Sequence, residues 1–410
     1  MNLALISVCA LALAVFVSCV SRLNVGVLAV ALAWIVGVYI GGIPVGTVMG
    51  GFPGQLFLTL TGVTLLFALA QTNGTLERIT RRAVRVCRGN CGTIPVMFFL
   101  LGAGLSSIGP GNIATAALLA PLAMSTAGRT GIPLFLMAIM VGNGSNSGAL
   151  SPFAPTGIIV NSLMARHGMP GLEWQTYTYN LLAHAAVAFG GYALFGGLKL
   201  FKAGSAEAEV DVADDRFERR HWITIGVIAA LIVSVIFADV HVGMGGFLGA
   251  VVLVLSRSGD DGEAVKRMPW RVIVMVCGVT VLISLVERAQ GMDLLVSLVA
   301  RVASPQTVTA VVAFLTGIVS VYSSTSGVVL PAFLPMVPGL AAELPGASAI
   351  GIASSMNIGG HLVDVSPLST IGALCMAGAA ADESRTLFNQ LLAWGLSMSI
   401  VGALLCYLVF

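Results

Sequence analysis

Two polar, helix-breaking tracts interrupt an otherwise strongly apolar chain: Gly109-Pro110-Gly111-Asn112 in its first half and Ser323-Ser324-Thr325-Ser326-Gly327 in its second. Each directly precedes a run that reads as a helix, Ile113 to Ala123 and Val328 to Leu334. The free N–H groups and the positive dipole end of such a helix favour an anion. A second break follows each tract, Asn143 to Thr156 and Asn357 to Thr370, rich in glycine, proline and hydroxyl or amide side chains. Unwound carbonyls of this kind are hard oxygen ligands for a small cation. The predicted chemistry is therefore joint binding of an anion and a cation. Gly111, Asn112, Ser324, Thr325 and Ser326, with Ser151-Pro152 and Ser366-Pro367, are the candidate anion residues. Asn146, Ser147, Gly148, Asn357, Gly359, His361 and Asp364 are the candidate cation residues, for sodium or, through His361 and Asp364, for a proton. Three plainer roles compete: small residues that only let helices pack closely, an Asp364 that caps a helix, and a His361 that bonds a carbonyl. His184, alone on its helix face, reads as a packing residue. No compact nucleophile and no His-Glu-x-x-His metal motif is present, so an enzyme is not expected.

Backbone can break in this way only inside protein or against a wet cavity if the surrounding solvent is lipid, and composition says that it is. Of 410 residues 57% are hydrophobic and 9% charged, too few charges to cover a water-soluble surface. That length holds about ten spans of roughly 20 residues plus hairpins. A net charge of +2 identifies no partner, and nothing suggests nucleic acid. Seven cysteines form no paired framework, and Cys87 with Cys91 is too little for zinc. No cofactor is expected beyond a coupling ion, Na+ or H+. The first apolar run, Asn2 to Val20, lacks a preceding basic residue and a cleavage site, and reads as a span rather than a signal peptide.

The elements that must position the breaks recur in order. Helices are predicted at about 2–20, 24–48 and 55–73, followed by a basic amphipathic segment 75–90 suited to a membrane interface. A re-entrant pair at 94–108 and 113–126, a broken span 132–165 and a span 177–201 complete the first set. The second set has spans at 222–238, 242–256 and 270–287, a segment 290–303, a hairpin 306–342, a broken span 346–378 and a span 386–410. Short motifs mark equivalent places: Gly62-Val63-Thr64-Leu65 and Gly278-Val279-Thr280-Val281, Ala120-Pro121 and Leu334-Pro335, Ser151-Pro152 and Ser366-Pro367. The predicted fold is an all-α integral membrane protein of about ten transmembrane spans, with residues 1–202 and 221–410 as two five-helix repeats and 203–220 as a cytoplasmic linker. Each repeat has an odd number of crossings, so the second is inverted relative to the first. With the N-terminus outside, only Arg166, Arg288 and Arg301 of the 20 Lys and Arg residues fall outside, so both termini are expected there in a cell (inner) membrane. No Lys or Arg falls within a predicted span core except near its ends, which leaves an anion to N–H, hydroxyl and amide donors. Burying an unneutralised dianion in that way costs several kcal/mol or more, so an accompanying cation is expected.

Gly51-Phe52-Pro53, Leu56-Phe57-Leu58-Thr59-Leu60, Phe67-Ala68-Leu69-Ala70-Gln71-Thr72-Asn73-Gly74-Thr75 and the Ser151-Pro152 break resemble the MatC-type malonate and dicarboxylate carriers over about residues 1–200. More distantly, the two-copy layout resembles the divalent-anion/sodium symporters of the wider ion transporter superfamily. The resemblance implies a homodimer with an elevator-type mechanism, substrate contacts from both hairpin tips, and sodium ligands from the tips and second breaks. In those symporters each tip carries Ser-Asn-Thr; here Asn112 is kept, but Gly111 and Ile113 replace the hydroxyl residues, and Thr325-Ser326-Gly327 takes the second place. Two pseudo-symmetric half-sites suit a small solute with two similar ends, such as malonate or a C4-dicarboxylate. A tricarboxylate, sulfate or arsenite carrier, a sodium/proton antiporter, and an ion channel share enough of the layout to stand as alternatives.

Overall fold

The computed structural model describes residues 2–21, 23–86, 89–201, 205–206, 216–379 and 383–410. Arg22, Cys87, Arg88, Lys202 and most of the 203–220 linker lie outside them. Among the described residues the chain is helical apart from a two-residue antiparallel bridge, Gly89–Asn90 with Ser205–Ala206. The first series of helices is α1 (Leu3–Val20), α2 (Val25–Trp34, prolonged by a π-helical turn Ile35–Ile40), α3 (Gly54–Thr72), α4 (Thr75–Val86), α5 (Thr93–Ile108), α6 (Gly111–Thr130), α7 (Leu134–Ser147), α8 (Pro155–Arg166) and α9 (Glu173–Leu194). The second series is α10 (Arg219–Ala238), α11 (Val242–Leu255), α12 (Trp270–Arg288), α13 (Gly291–Ala300), α14 (Val308–Tyr322), the compound helix α15 (Thr325–Glu343), α16 (Ala349–Leu362), α17 (Thr370–Ala377) and α18 (Ser384–Val409). Short helices Val45–Met49 and Asp261–Arg267 precede α3 and α12.

Among the described residues six helices are long and apolar enough to cross a membrane, and five shorter ones are apolar. The predicted boundaries hold within a few residues, with two exceptions. The span expected over 177–201 ends at Leu194, ahead of Gly196 at φ 90°. The span expected over 24–48 ends at Ile40, because Gly41, Gly42 and Pro44 cannot continue it; Gly42 takes φ 63° and Pro44 has no N–H to donate.

The two series interlock rather than lie side by side. Helix α3 packs on α11 and α12 packs on α2. Glycine permits both crossings: a Cβ on Gly62 would lie 2.1 Å from the Gly243 carbonyl oxygen, and one on Gly278 would lie 2.2 Å from that of Gly26. Gly62 and Gly278 head the two Gly-Val-Thr motifs, so the repeated sequence marks the two closest backbone approaches in this part of the fold. Apolar packing divides into two cores. One centres on α1, α2, α3, α12 and α13; the other is built by α5, α6, α7, α9 and α18.

Asn73 lies in the Phe67–Thr75 stretch and serves as a joint between the series. Its Nδ2 donates to Thr224 Oγ1 at 2.8 Å and to the Ser258 carbonyl at 2.9 Å, while its Oδ1 accepts from the Thr75 N–H at 3.0 Å. A single buried side chain thus caps α4 and fastens α3 to the starts and ends of α10 and α11.

Candidate anion and cation site

Helices α5 and α6 meet at Gly109-Pro110, a turn that only glycine can make at its flanks. Gly109 takes φ 150° and Gly111 φ 79°, and a Cβ on Gly109 would lie 2.0 Å from the Phe67 ring. α6 therefore starts at Gly111, two residues before the predicted helix, and its first N–H groups have no partner within the helix. The second tip is built differently. The Ser324 hydroxyl accepts from the Gly327 N–H at 3.2 Å, and a π-helical turn Thr325–Val329 opens α15. Prolines at 331 and 335 keep α15 from being one regular helix.

Each tip is tied to the neighbouring break. Asn112 Nδ2 donates to Asn146 Oδ1 at 2.9 Å, joining α6 to the end of α7. Thr325 Oγ1 donates to Asp364 Oδ1 at 2.8 Å and lies 3.3 Å from the Gly360 carbonyl, joining α15 to the end of α16. The Ser320 hydroxyl lies in hydrogen-bond contact with Thr325, and that of Ser369 donates to the Asp364 carbonyl. The two breaks are joined as well: Asn146 Nδ2 donates to the His361 carbonyl at 3.3 Å, and Asn180 Nδ2 on α9 donates to the Asn146 carbonyl at 2.9 Å.

Two adjoining cavities open beside the tips. The larger, of about 400 Å³, is lined by Asn112, Ser323 to Ser326, His361, Asp364 and Ser369, with Arg271 at its edge. The smaller, of about 270 Å³, is lined by Gly109 to Ile113, Thr156 and Ser326, with Arg267 at its edge. Asn112, Ile113, Val272 and Ser326 line both.

Of the candidate anion residues, Gly111, Asn112, Ser324, Thr325 and Ser326 line these cavities. Ser151, Pro152, Ser366 and Pro367 are not among the lining residues. Ser151 donates to the Ser107 carbonyl at 2.7 Å, and Ser366 is fully buried against Gly395. Of the candidate cation residues, His361 and Asp364 reach the larger cavity, whereas Asn146 sits behind Asn112. Ser147 bonds within its own helix and Gly148 packs on Ala103 and Ser107. Gly359 packs on the Ala313 backbone, and Asn357 is buried and lines neither cavity. The cavities are not lined by N–H, hydroxyl and amide donors alone, as expected: Arg267 and Arg271 also line them, because the turn before α12 brings the end of one helix and the start of the next to the tips.

His184 is fully buried and hydrogen-bonded. It pairs with Asn180 on α9 as Asn357 pairs with His361 on α16, an Asn-x3-His spacing that puts both side chains on one helix face. Asn143 Nδ2 donates to the Ile139 carbonyl, so its Oδ1 accepts from His184 Nδ1 at 2.9 Å. His361 Nδ1 donates to the Asn357 carbonyl at 2.8 Å. Both rings then present a bare Nε2 lone pair. Among the described residues His184 Nε2, His361 Nε2, Asn180 Oδ1 and both amide atoms of Asn357 find no partner within the protein. The repeated spacing was visible in sequence, but the contact with Asn143 depends on how α9 packs against α7.

Far from the cavities, beyond the other end of α12, Arg166 Nη2 lies 3.8 Å from Glu287 Oε2 and His167 Nε2 lies 3.5 Å from Glu287 Oε1. Burial, and secondly the neighbouring Arg166 charge, lower the His167 pKa to about 4. The imidazole is neutral near pH 7, and its contact with Glu287 is polar rather than ionic.

Residues 1–149 match the family described as dicarboxylate carrier protein MatC N-terminus, so the resemblance read from the sequence is borne out over that stretch. No curated protein matches the chain. Among solved structures, the fold is similar to that of the Alcanivorax borkumensis YdaH transporter, described as having an unusual topology. The identity is 17% and the TM-score 0.62, over 88% of this chain and 87% of that one. The chain is thus a multi-pass membrane protein by its apolar helices, with a fold similar to that of the YdaH transporter and a match to the dicarboxylate carrier N-terminus over residues 1–149.

Proposed function

We propose that this chain, whose residues 1–149 match the MatC dicarboxylate carrier N-terminus, is a secondary active carrier of short dicarboxylates such as malonate or a C4 homologue. The observation that carries this reading is the meeting of both tips at two adjoining cavities that share Asn112 and Ser326. Two similar sets of neutral donors at one place suit a solute with two similar ends. Asn112, the Thr325–Asp364 pair and the start of α6 supply donors and a carboxylate that balances a coupling cation. Sodium or a proton travels with the substrate; Asn146, Ser147, Asn357 and Gly359 lie within helices α7 and α16 rather than in unwound backbone, so Asp364 is the group that would bind it.

The two series of helices form inverted repeats, and the hairpins and broken helices move against the remaining spans in an elevator-type cycle within a homodimer of the inner membrane. With the orientation that the Lys and Arg distribution favours, the cavities beside Arg267 and Arg271 face the cytoplasm and the Arg166–Glu287 contact lies on the outer side. Cysteines placed at Arg216 should then react only from the cytoplasmic face, and cysteines at Asn2 and Phe410 only from the other. Termini labelled from the same side as position 216 would reject the inverted arrangement.

The functional reading is tested on purified protein by competition for binding. Malonate or a C4-dicarboxylate should raise the melting temperature at concentrations where acetate and citrate leave it unchanged. Preferential stabilisation by citrate, or by an inorganic oxyanion, would replace the dicarboxylate assignment.

A further inference from the structure

Two arginines stand at the edge of a site that otherwise offers neutral donors, and the turn that carries them is firmly held. Trp270 Nε1 donates to the Val265 carbonyl at 2.8 Å across the turn, and Asn24 Nδ2 donates to the Arg271 carbonyl at 3.0 Å. Met268 is buried between them. The backbone of both residues is thereby fixed while their side chains stay exposed. Arg271 borders the cavity that contains Ser326 and Asp364, and Arg267 borders the one that contains Asn112 and Thr156.

We propose that Arg267 and Arg271 form an anion-receiving subsite at the mouth of the tip cavities, one guanidinium for each cavity, which favours dianions over monoanions. This rests on the reading of the site as one for a small anion. A guanidinium presents a planar fork of donors that matches a carboxylate and keeps its charge at any physiological pH. In this exposed setting the attraction is modest and weakened by salt. The subsite therefore captures and orients the solute, and the tips complete its binding. The helix that carries Arg271 crosses α2 closely at Gly26–Gly278 and also packs on the opening turns of α15.

The test measures binding of malonate, acetate and sulfate by calorimetry at low and high ionic strength. It compares the wild type with Arg267→Gln, Arg271→Gln, the double variant and the two Lys variants. Each Gln variant should weaken malonate binding about three- to fivefold and the double variant about tenfold or more, while acetate changes less than about twofold. The Lys variants should stay within about threefold of wild type. The wild-type affinity should fall with salt, and that of the double variant should hardly change. If the wild type prefers sulfate over malonate, the dicarboxylate reading fails and the same comparison on sulfate still decides the role of the arginines. A double variant with wild-type affinity and salt dependence for the preferred anion would overturn the proposal, and a wild type that binds none of the three would overturn both.

Discussion

Asp364→Asn should abolish concentrative uptake, by about tenfold or more in the final gradient, while sparing exchange of substrate across the membrane. Asp364 sits where α16 unwinds, lines the larger cavity and accepts a hydrogen bond from Thr325. Among the described residues no ion pair neutralises it. An ionisable group at such depth is expensive unless it has a partner, and a coupling cation is the partner that the proposed mechanism provides. Replacing the carboxylate by an amide keeps an acceptor for Thr325 and removes the charge, so the cation loses its seat while the substrate keeps its own. Imposing a sodium gradient or a pH gradient on the wild type identifies the ion. A variant that still accumulates substrate like the wild type would reduce Asp364 to a cap for the Thr325 hydroxyl.

Asn112→Ala and Ser326→Ala should each weaken apparent substrate affinity about tenfold or more with expression preserved. Both residues line both cavities, and a lost hydrogen bond to a charged group is worth about 1.5–3 kcal/mol. Asn112→Ala carries a second cost, because Asn146 Oδ1 loses the donor that holds it. Asn146→Ala should therefore reproduce part of the Asn112→Ala defect, and the double variant should be less than additive, since both act through one contact. Wild-type affinity in Asn112→Ala and Ser326→Ala together would leave close helix packing as the role of the tips.

Apolar run length and the positions of glycine and proline made most helix ends legible, because breaks in lipid are few and each has a local cause. The Gly-Val-Thr motifs were legible as repeats, yet that they mark the α3–α11 and α2–α12 crossings depends on pairing between distant helices. The tip residues were readable from the break itself, since Gly111 and Asn112 must lie where the chain turns. Side chains that reach the site from elsewhere were not. Arg267 and Arg271 looked like the basic flank of a span, and only the turn at Pro269 carries them to the cavity edge. Ser151 and Ser366 show the converse: they lie at the right depth in sequence, but their side chains face other helices.

The central claim is that the paired tips serve a short dicarboxylate, and uptake of radiolabelled malonate into proteoliposomes that contain the purified protein tests it most directly. The account predicts saturable uptake that follows an imposed cation gradient, is inhibited by unlabelled malonate or a C4-dicarboxylate, and is little affected by acetate or citrate. Malonate uptake no greater than in protein-free liposomes under sodium and pH gradients alike, with labelled citrate or sulfate taken up instead, would contradict it.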